Sequence, residues 1–199
     1  DRAVGVAADN ADPATAERLV AAARDAFGSL DGALISVGGP PAASAMDTTD
    51  EQWTRAFESV FLGSLRIARA VAGAVGPGGS LAFVLSTSVK APIGGLAISN
   101  GLRPGLAMTA KMMADELGPR GVRVNTLMPG RIETDRVAHL DSLAADPAAA
   151  RAGHEAQIPL GRYGTPEEFG RIAAFVLSPA AAFVTGASIP VDGGLTRAL

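Results

Sequence analysis

Short apolar runs alternate with longer helical patterns along the chain, and this alternation limits the possible folds more than any other feature of the sequence. Such runs are typical of strands buried on both faces, and they occur at residues 3–8, 32–36, 80–86, 122–128 and 187–191. Between them, apolar residues recur at helical spacing at 12–27, 50–74, 104–117 and 166–177. Strands that alternate with helices through short connections form a parallel sheet covered on both faces. The sequence therefore predicts an α/β fold.

Three of the predicted helices begin at recognisable capping residues. Asp12 precedes the first helix and is expected to cap it. Thr49 with Gln52, and Thr165 with Glu168, have the spacing of a capping box. In this motif the side chain of each residue accepts a hydrogen bond from the backbone N–H of the other. These pairs predict the starts of the second and last helices.

Composition excludes several classes of function. A chain of 199 residues, 48% hydrophobic and 19% charged, can bury the core of one domain. The net charge of −3 gives no basic surface for nucleic acid, and no apolar run reaches the roughly 18 residues that span a bilayer. There is no cysteine, and the two histidines show no metal-site spacing. We expect a soluble cytoplasmic protein without nucleic-acid, membrane or metal partners.

The predicted sheet also indicates where chemistry belongs. In parallel sheets, ligands bind beyond the carboxyl ends of the strands, so the loops after each strand are the candidate site. Residues 135–158 are more polar and alanine-rich than the rest and leave the strand–helix pattern. They predict either a mobile substrate lid or a fixed pair of surface helices. We expect residues 1–199 to form one domain that includes this segment.

Three separated motifs resemble one enzyme family. The stretches "AADNADPATAERLVAAARDAFGSLDGALISVGG", "ELGPRGVRVNTLMPGRIET" and "IPLGRYGTPEEFGRIAAFVLSPAAAFVTGASIPVDGG" are similar, in this order, to segments of the short-chain dehydrogenase/reductases. The likeness is greatest to the 3-oxoacyl-acyl-carrier-protein reductases and covers essentially the whole chain. It implies a Rossmann-like, three-layer, doubly wound parallel sheet, NAD or NADP as cofactor, and oxidation or reduction of a small alcohol or carbonyl compound.

The resemblance assigns a cofactor role to residues after three of the strands. Asp9 stands where a carboxylate accepts from the adenine amino group, and Ser36 and Gly38 stand where the family has an Asn-Ala-Gly turn against the adenine ribose. The strand at 122–128 is followed by Pro129, Gly130, Ile132 and Thr134. The resemblance implies that this segment contacts the nicotinamide carboxamide. A threonine hydroxyl can both donate to and accept from an amide.

The catalytic positions of the family are altered in this chain. Ser88 stands at the place of the substrate-orienting serine, with Ser86 and Thr87 as neighbouring alternatives. The tyrosine and lysine positions hold Ser99 and Arg103. An aliphatic hydroxyl is a far weaker acid than a phenol, so Ser99 is a poor general acid, whereas Arg103 can still bind ribose hydroxyls.

A third family residue, an asparagine that holds a water in the proton relay, is replaced by Val60. Counting back from "ELGPRGVRVN" leaves no tyrosine for the family's tyrosine position, since the single tyrosine is Tyr163, and Lys111 lies about two helical turns beyond Arg103. His139 is a candidate replacement acid, and a solvated surface histidine is the alternative.

Charged residues cluster around Thr134. Arg131, Asp135 and Arg136 predict either recognition of an acidic or carrier-linked substrate or an ordinary surface salt-bridge network.

The first residues resemble the family's third strand, so its strands 1 and 2 and their glycine-rich turn are absent from the sequence. We expect roughly 50 residues to precede Asp1 in the natural protein, because strands 1 and 2 lie in the middle of the family's sheet. The residues that distinguish NAD from NADP belong to that part.

Three hypotheses follow for the function. The first is an NAD(P)(H)-dependent oxidoreductase, possible substrates including 3-oxoacyl thioesters, whose proton path does not use tyrosine. The second is a non-catalytic nucleotide-binding or scaffold relative. The third is a lyase or isomerase step on the same scaffold. The helices at 50–74 and 104–117 and the C-terminal segment resemble family interfaces, which implies a homodimer or homotetramer.

Overall fold

The computed structural model describes residues 3–198 and contains one four-stranded parallel sheet. Its strands lie in the order β1-β2-β3-β4, and their bounds are Gly32–Ser36, Ser80–Val84, Arg123–Pro129 and Ser188–Val191. Each strand pairs in parallel with its neighbour in the sequence, so all four carboxyl ends meet at one edge. The predicted α/β fold is confirmed.

Helices cover both faces of the sheet. In chain order they are α1 Thr15–Phe27, α2 Asp50–Ala56, α3 Gly63–Ala74, α4 Ala97–Leu117, α5 Asp135–Ser142, α6 Pro147–Gln157 and α7 Pro166–Leu177. On one face, α3 and α4 enclose the larger part of the core, and α7 packs on the other face around Ala82, Leu127 and Val176. These three layers are the predicted doubly wound architecture.

Residues 3–8 do not form the predicted strand. They are mostly exposed, and the ladder of β1 pairs only with β2 within the described part of the chain. An apolar run becomes a strand only where another strand accepts its backbone hydrogen bonds, and none of the described strands lies beside this run. Asp9 therefore does not follow a strand.

Several helix bounds differ from the predicted ones. The first helix begins at Thr15, because the Asp12 carboxylate accepts from the N–H of Ala14, 2.9 Å away, in a turn that precedes the helix. Helix α4 begins at Ala97 and contains Pro104 in its second turn. The two predicted capping boxes, at Thr49 and Thr165, are both present.

The long second helix is interrupted by a π-helical turn, Phe57–Leu62, between α2 and α3. Val60 lies buried in this turn, and the hydroxyl of Ser64 donates to its carbonyl at 2.6 Å. π turns insert a residue into a helix and often occur at functional sites.

Helix α4 lies close to α2 and the π turn because two of its glycines face them. A Cβ on Gly101 would lie 2.6 Å from the ring of Trp53, and one on Gly105 would lie 3.0 Å from Phe61. The lack of side chains at these positions lets α4 pack deep enough to bring its first turns to the carboxyl edge of the sheet. Among the described residues, no helix is long and apolar enough to cross a membrane.

Candidate functional site

Two serine hydroxyls meet at the carboxyl end of β2. Ser88 lies in the 3₁₀ turn Thr87–Val89 and Ser99 in the first turn of α4, and their Oγ atoms are 3.3 Å apart. Both side chains are buried. Ser86 instead accepts a hydrogen bond from the backbone N–H of Ser88 at 3.1 Å and so shapes the turn. Of the hydroxyls after β2, the structure brings Ser88 to Ser99.

Arg103 lies one helical turn beyond Ser99 and reaches the same strand end. Its Nη1 donates to the carbonyl of Val84 at 3.0 Å, and Val84 is paired in register with Ser36 on β1 and Leu127 on β3. The guanidinium therefore lies over the centre of the sheet's carboxyl edge. Arg103 is 7% exposed, and burial, with the charge of Arg136, lowers its pKa to about 10.

The side chains that could have supplied a familiar acid lie elsewhere. Tyr163 is buried and donates to Oδ2 of Asp141 at 2.9 Å, and burial together with this hydrogen bond raises its pKa to about 12. Lys111 packs beside Gly186, at the loop before β4. Val60 presents only an apolar side chain. His139 is exposed in α5 and makes no side-chain contact with the serine pair.

The segment after β3 turns sharply into α5. A Cβ on Gly130 would lie 2.6 Å from that of Asp192, so only glycine fits between Pro129 and the loop after β4. Ile132 is buried and pairs with Gly164 in a β-bridge. The exposed Thr134 is the N-cap of α5 and accepts from Val137 N–H at a long 3.4 Å.

The turn after β1 is open. Ser36 and Gly38 are exposed, and a Cβ on Gly38 would meet no atom within 4 Å. A cavity of about 310 Å³ lies between residues 38–41 and the α2 and π-turn residues, including Val60. Asp9 is exposed, and its Oδ1 accepts from Ala11 N–H at 2.9 Å within its own loop.

Comparison with known proteins decides the family. The family model described as enoyl-(acyl carrier protein) reductase matches residues 1–196. A Brucella melitensis structure described as a short-chain dehydrogenase/reductase superposes with a TM-score of 0.90 at 28% identity, covering 98% of this chain and 77% of that one. The chain belongs to the short-chain dehydrogenase/reductases.

Among curated family members, the L-rhamnose 1-dehydrogenase (NAD(P)(+)) of Azotobacter vinelandii is 35% identical over 97% of this chain and 75% of its own length. The 3-oxoacyl-[acyl-carrier-protein] reductase of Vibrio cholerae is 30% identical over 98% and 78%. An inactive 2-(S)-hydroxypropyl-CoM dehydrogenase of Xanthobacter autotrophicus is 34% identical over 96% and 84%.

One solved relative has an unusual catalytic site. An NADPH-bound short chain oxidoreductase of Pseudomonas aeruginosa, described as containing an atypical catalytic center, superposes with a TM-score of 0.85 at 27% identity over 96% of this chain and 75% of its own. The family thus includes members whose catalytic residues depart from its usual pattern.

In this short-chain dehydrogenase/reductase, residues 135–158 form the helix pair α5 and α6. An ion-paired cluster holds the pair to the end of β3: Arg131 donates to Oδ1 of the buried Asp141 at 2.9 Å and to Nε2 of His154 at 2.8 Å. Burial and the charge of Arg131 lower the pKa of His154, so the imidazole accepts this bond while neutral. Arg131 is thus engaged in a salt bridge, but with the buried Asp141 rather than within the predicted surface network of Arg131, Asp135 and Arg136.

No pattern in the sequence predicted this cluster. Asp141 contacts Arg131, His154 and Tyr163, which lie 10, 13 and 22 positions from it, a spacing that matches no motif. Arg151 adds to it through its ion pairs with Glu133 and Glu155 and by lying 4.6 Å over the Tyr163 ring.

Replacement of Tyr163 by phenylalanine tests whether this tyrosine is structural. We expect Tyr163→Phe to lower the free energy of unfolding by about 1–2 kcal/mol, because Asp141 loses one buried hydrogen bond. Turnover should stay within about threefold, since a general acid would account for 100-fold or more. Urea unfolding and steady-state assays measure both, and a loss of turnover near 100-fold with an intact fold would contradict the structural role.

Proposed function

We propose that the chain is an NAD(P)(H)-dependent oxidoreductase that reduces a small carbonyl compound or oxidises the corresponding alcohol. The observation that carries the proposal is the contact of Ser88 and Ser99 beside Arg103 at the carboxyl edge of the sheet. Two hydroxyls and a cation at this place are donors that can stabilise a reacting oxygen. Family membership and the nucleotides in the names of relatives support it.

The donor set fits the nicotinamide part of such a cofactor. Arg103 has unused N–H groups for ribose hydroxyls, and the exposed Thr134 is available to a carboxamide at the start of α5. Gly130, Pro129 and Ile132 would shape the turn beneath it. Bound there, the nucleotide supplies or accepts the hydride.

At the other end, Ser36 and Gly38 are open to the adenine ribose, since no atom lies within 4 Å of a Cβ on Gly38. Asp9 keeps Oδ2 for the adenine amino group, while Oδ1 holds its own loop.

The proposed mechanism relies on charge rather than on a tyrosine proton. Ser88 and Ser99 would donate to the carbonyl oxygen, and the fixed charge of Arg103 would stabilise the negative charge that develops on it. The carbonyl oxygen would take its proton from water, because none of Ser88, Ser99 and Arg103 is an effective general acid near neutral pH. Oxidation runs through the same steps in reverse.

Residues 135–158 would serve as the substrate lid of this single domain. Helices α5 and α6 follow directly on the turn at Thr134, and Arg136 in the first turn of α5 reaches the loop after β1. Through Arg136, α5 therefore reaches from the β3 side of the site to the β1 side, which suits a segment that covers a bound substrate.

A second candidate is a nucleotide-binding relative without catalytic activity. It is favoured by the buried apolar Val60 and by the use of the single tyrosine in the Asp141 cluster. One curated relative carries the word inactive in its name. Both candidates require nucleotide binding, and they differ only in turnover.

Nucleotide binding and turnover therefore test the proposal in sequence. The single tryptophan, Trp53, packs on Gly101 near the site, so NADH or NADPH should quench its fluorescence with saturation. Nucleotide oxidation is then followed with a panel of ketones, oxo acids, quinones and 3-oxoacyl thioesters. Saturable nucleotide binding without nucleotide oxidation by any substrate would leave the second candidate. Absence of both nucleotide binding and turnover would exclude both candidates.

We also propose that the protein assembles as a homodimer or homotetramer through α4. Met108 and Met112 lie one turn apart on α4 and are 67% and 57% exposed, which is unusual for apolar side chains on one helix face.

We expect Met108→Glu/Met112→Glu to convert the oligomer to a monomer, because two carboxylates would be buried at the interface. Light scattering after gel filtration measures the mass. Met46→Glu, at a 92% exposed methionine in the loop before α2, is the matched control and should leave the mass unchanged. A wild-type protein of monomer mass would contradict the assembly.

A further inference from the structure

Two arginine side chains share the opening of the candidate site without a counter-ion. Arg103 is buried and donates one hydrogen bond, to the Val84 carbonyl, and Arg136 donates one, to the Pro40 carbonyl at 2.6 Å. The ion pairs among residues 3–198 involve other cations. A buried cation beside another cation is costly unless an anion joins them.

Arg136 reaches the site from the opposite side to Arg103. It leaves the first turn of α5 and crosses to the loop after β1, where its Nε would be 3.1 Å from a Cβ on Gly39. Ser36, which ends β1, is paired in register with Val84, so Arg103 contacts the end of β2 and Arg136 contacts the loop that follows the end of the neighbouring strand β1. The two guanidinium groups are close enough for the charge of Arg136 to lower the pKa of Arg103.

Both guanidinium groups keep donors for a ligand. Arginine has five N–H donors, and one nitrogen of each side chain bonds to a backbone carbonyl. In residues 3–198, no fully buried side-chain nitrogen or oxygen lacks a hydrogen-bond partner. The remaining nitrogens of Arg103 are therefore not fully buried.

We propose that Arg136, beside the positive charge of Arg103, binds a substrate carboxylate, so that the site acts on oxo acids or hydroxy acids rather than on neutral ketones or alcohols. Guanidinium groups match the planar carboxylate through paired hydrogen bonds. Ser88 and Ser99 would then hold the oxo group of the same molecule. Arg131, the other arginine of this segment, takes no part because Asp141 engages it. This substrate class rests on the proposed oxidoreductase function.

Binding of a carboxylate that cannot react tests the arginine pair apart from turnover. Calorimetric titration of the purified protein with pentanoate should give saturable binding, whereas pentanamide, which lacks the charge, should not bind. We expect Arg136→Gln to weaken pentanoate binding about tenfold or more, and Arg69→Gln, at an exposed arginine of α3, to leave it unchanged. Equal pentanoate affinity in Arg136→Gln and wild type, or no binding at tens of millimolar, would overturn the proposal.

Kinetics with a matched pair of substrates separates this proposal from the proposed function. The protein should prefer 4-oxopentanoate to its methyl ester by about tenfold or more in kcat/KM, and Arg136→Gln should remove the preference. Equal rates with acid and ester would exclude the carboxylate site and leave the oxidoreductase. Pentanoate binding that depends on Arg136 without any turnover would support the site and exclude the reaction. If Arg136→Gln weakens NADPH about tenfold but not pentanoate, the arginine belongs to a nucleotide phosphate and the proposal is wrong.

Discussion

Replacement of Arg123 by methionine is expected to lower the free energy of unfolding by about 3–5 kcal/mol. Arg123 is buried at the start of β3 and donates to the carbonyls of Val176, Leu177, Ser178 and Val184. Three of these carbonyls end α7, where no intrahelical partner exists, so the guanidinium caps the helix and ties it to the sheet. Methionine fills similar space but leaves the carbonyls without this donor.

Urea unfolding of Arg123→Met measures this loss, and Arg120→Met is its matched control. Arg120 is exposed and donates to one carbonyl, that of Ala72, so its replacement should cost under about 1 kcal/mol. Comparable losses in the two variants would show that the cap of α7 contributes little.

Replacement of the other buried arginine, Arg103, should cost little stability and should instead impair function. Its pKa of about 10, against 12.5 in water, corresponds to about 3 kcal/mol of unfavourable burial of the charge at neutral pH. The single bond to Val84 offsets about 1.5–3 kcal/mol of this. Arg103→Met should therefore leave the free energy of unfolding unchanged or raise it by up to about 2 kcal/mol.

The same variant should lose function. We expect Arg103→Met to lower kcat about 100-fold or more and to weaken nucleotide binding about tenfold, because it removes the cation from the reacting oxygen and the ribose. Arg103→Lys keeps the charge and should recover part of the turnover. A strongly destabilised Arg103→Met with normal turnover would make Arg103 a structural residue like Arg123.

Much of the fold was predictable because local signals agree with the tertiary structure. The capping boxes at Thr49 and Thr165 begin helices where the sequence placed them. The strand at residues 3–8 was wrong because an apolar run does not carry information about its hydrogen-bond partner. The start of α4 was missed because Gly101 and Pro104 weaken the helical pattern, although tertiary contacts with Trp53 favour the helix.

The site was predictable only in part. Sequence placed Ser88, Ser99 and Arg103 in one constellation, and the structure brings these three side chains to one strand end. Their roles in catalysis and binding stay predictions. The engagement of Arg131 by Asp141, and of Asp141 by Tyr163, could not be foreseen, since these contacts depend on how α5 and α6 fold back on β3.

The most direct test of the catalytic site compares nucleotide oxidation by the wild-type protein and by Ser88→Ala/Ser99→Ala, with the same carbonyl substrate and saturating nucleotide. We expect turnover by the wild type and a kcat that is lower by about 100-fold or more in the double variant. The dissociation constant of the nucleotide should stay within about twofold of the wild-type value. Equal turnover by the two proteins, or nucleotide binding without turnover by the wild type, would contradict a reaction carried by the Ser88–Ser99 pair.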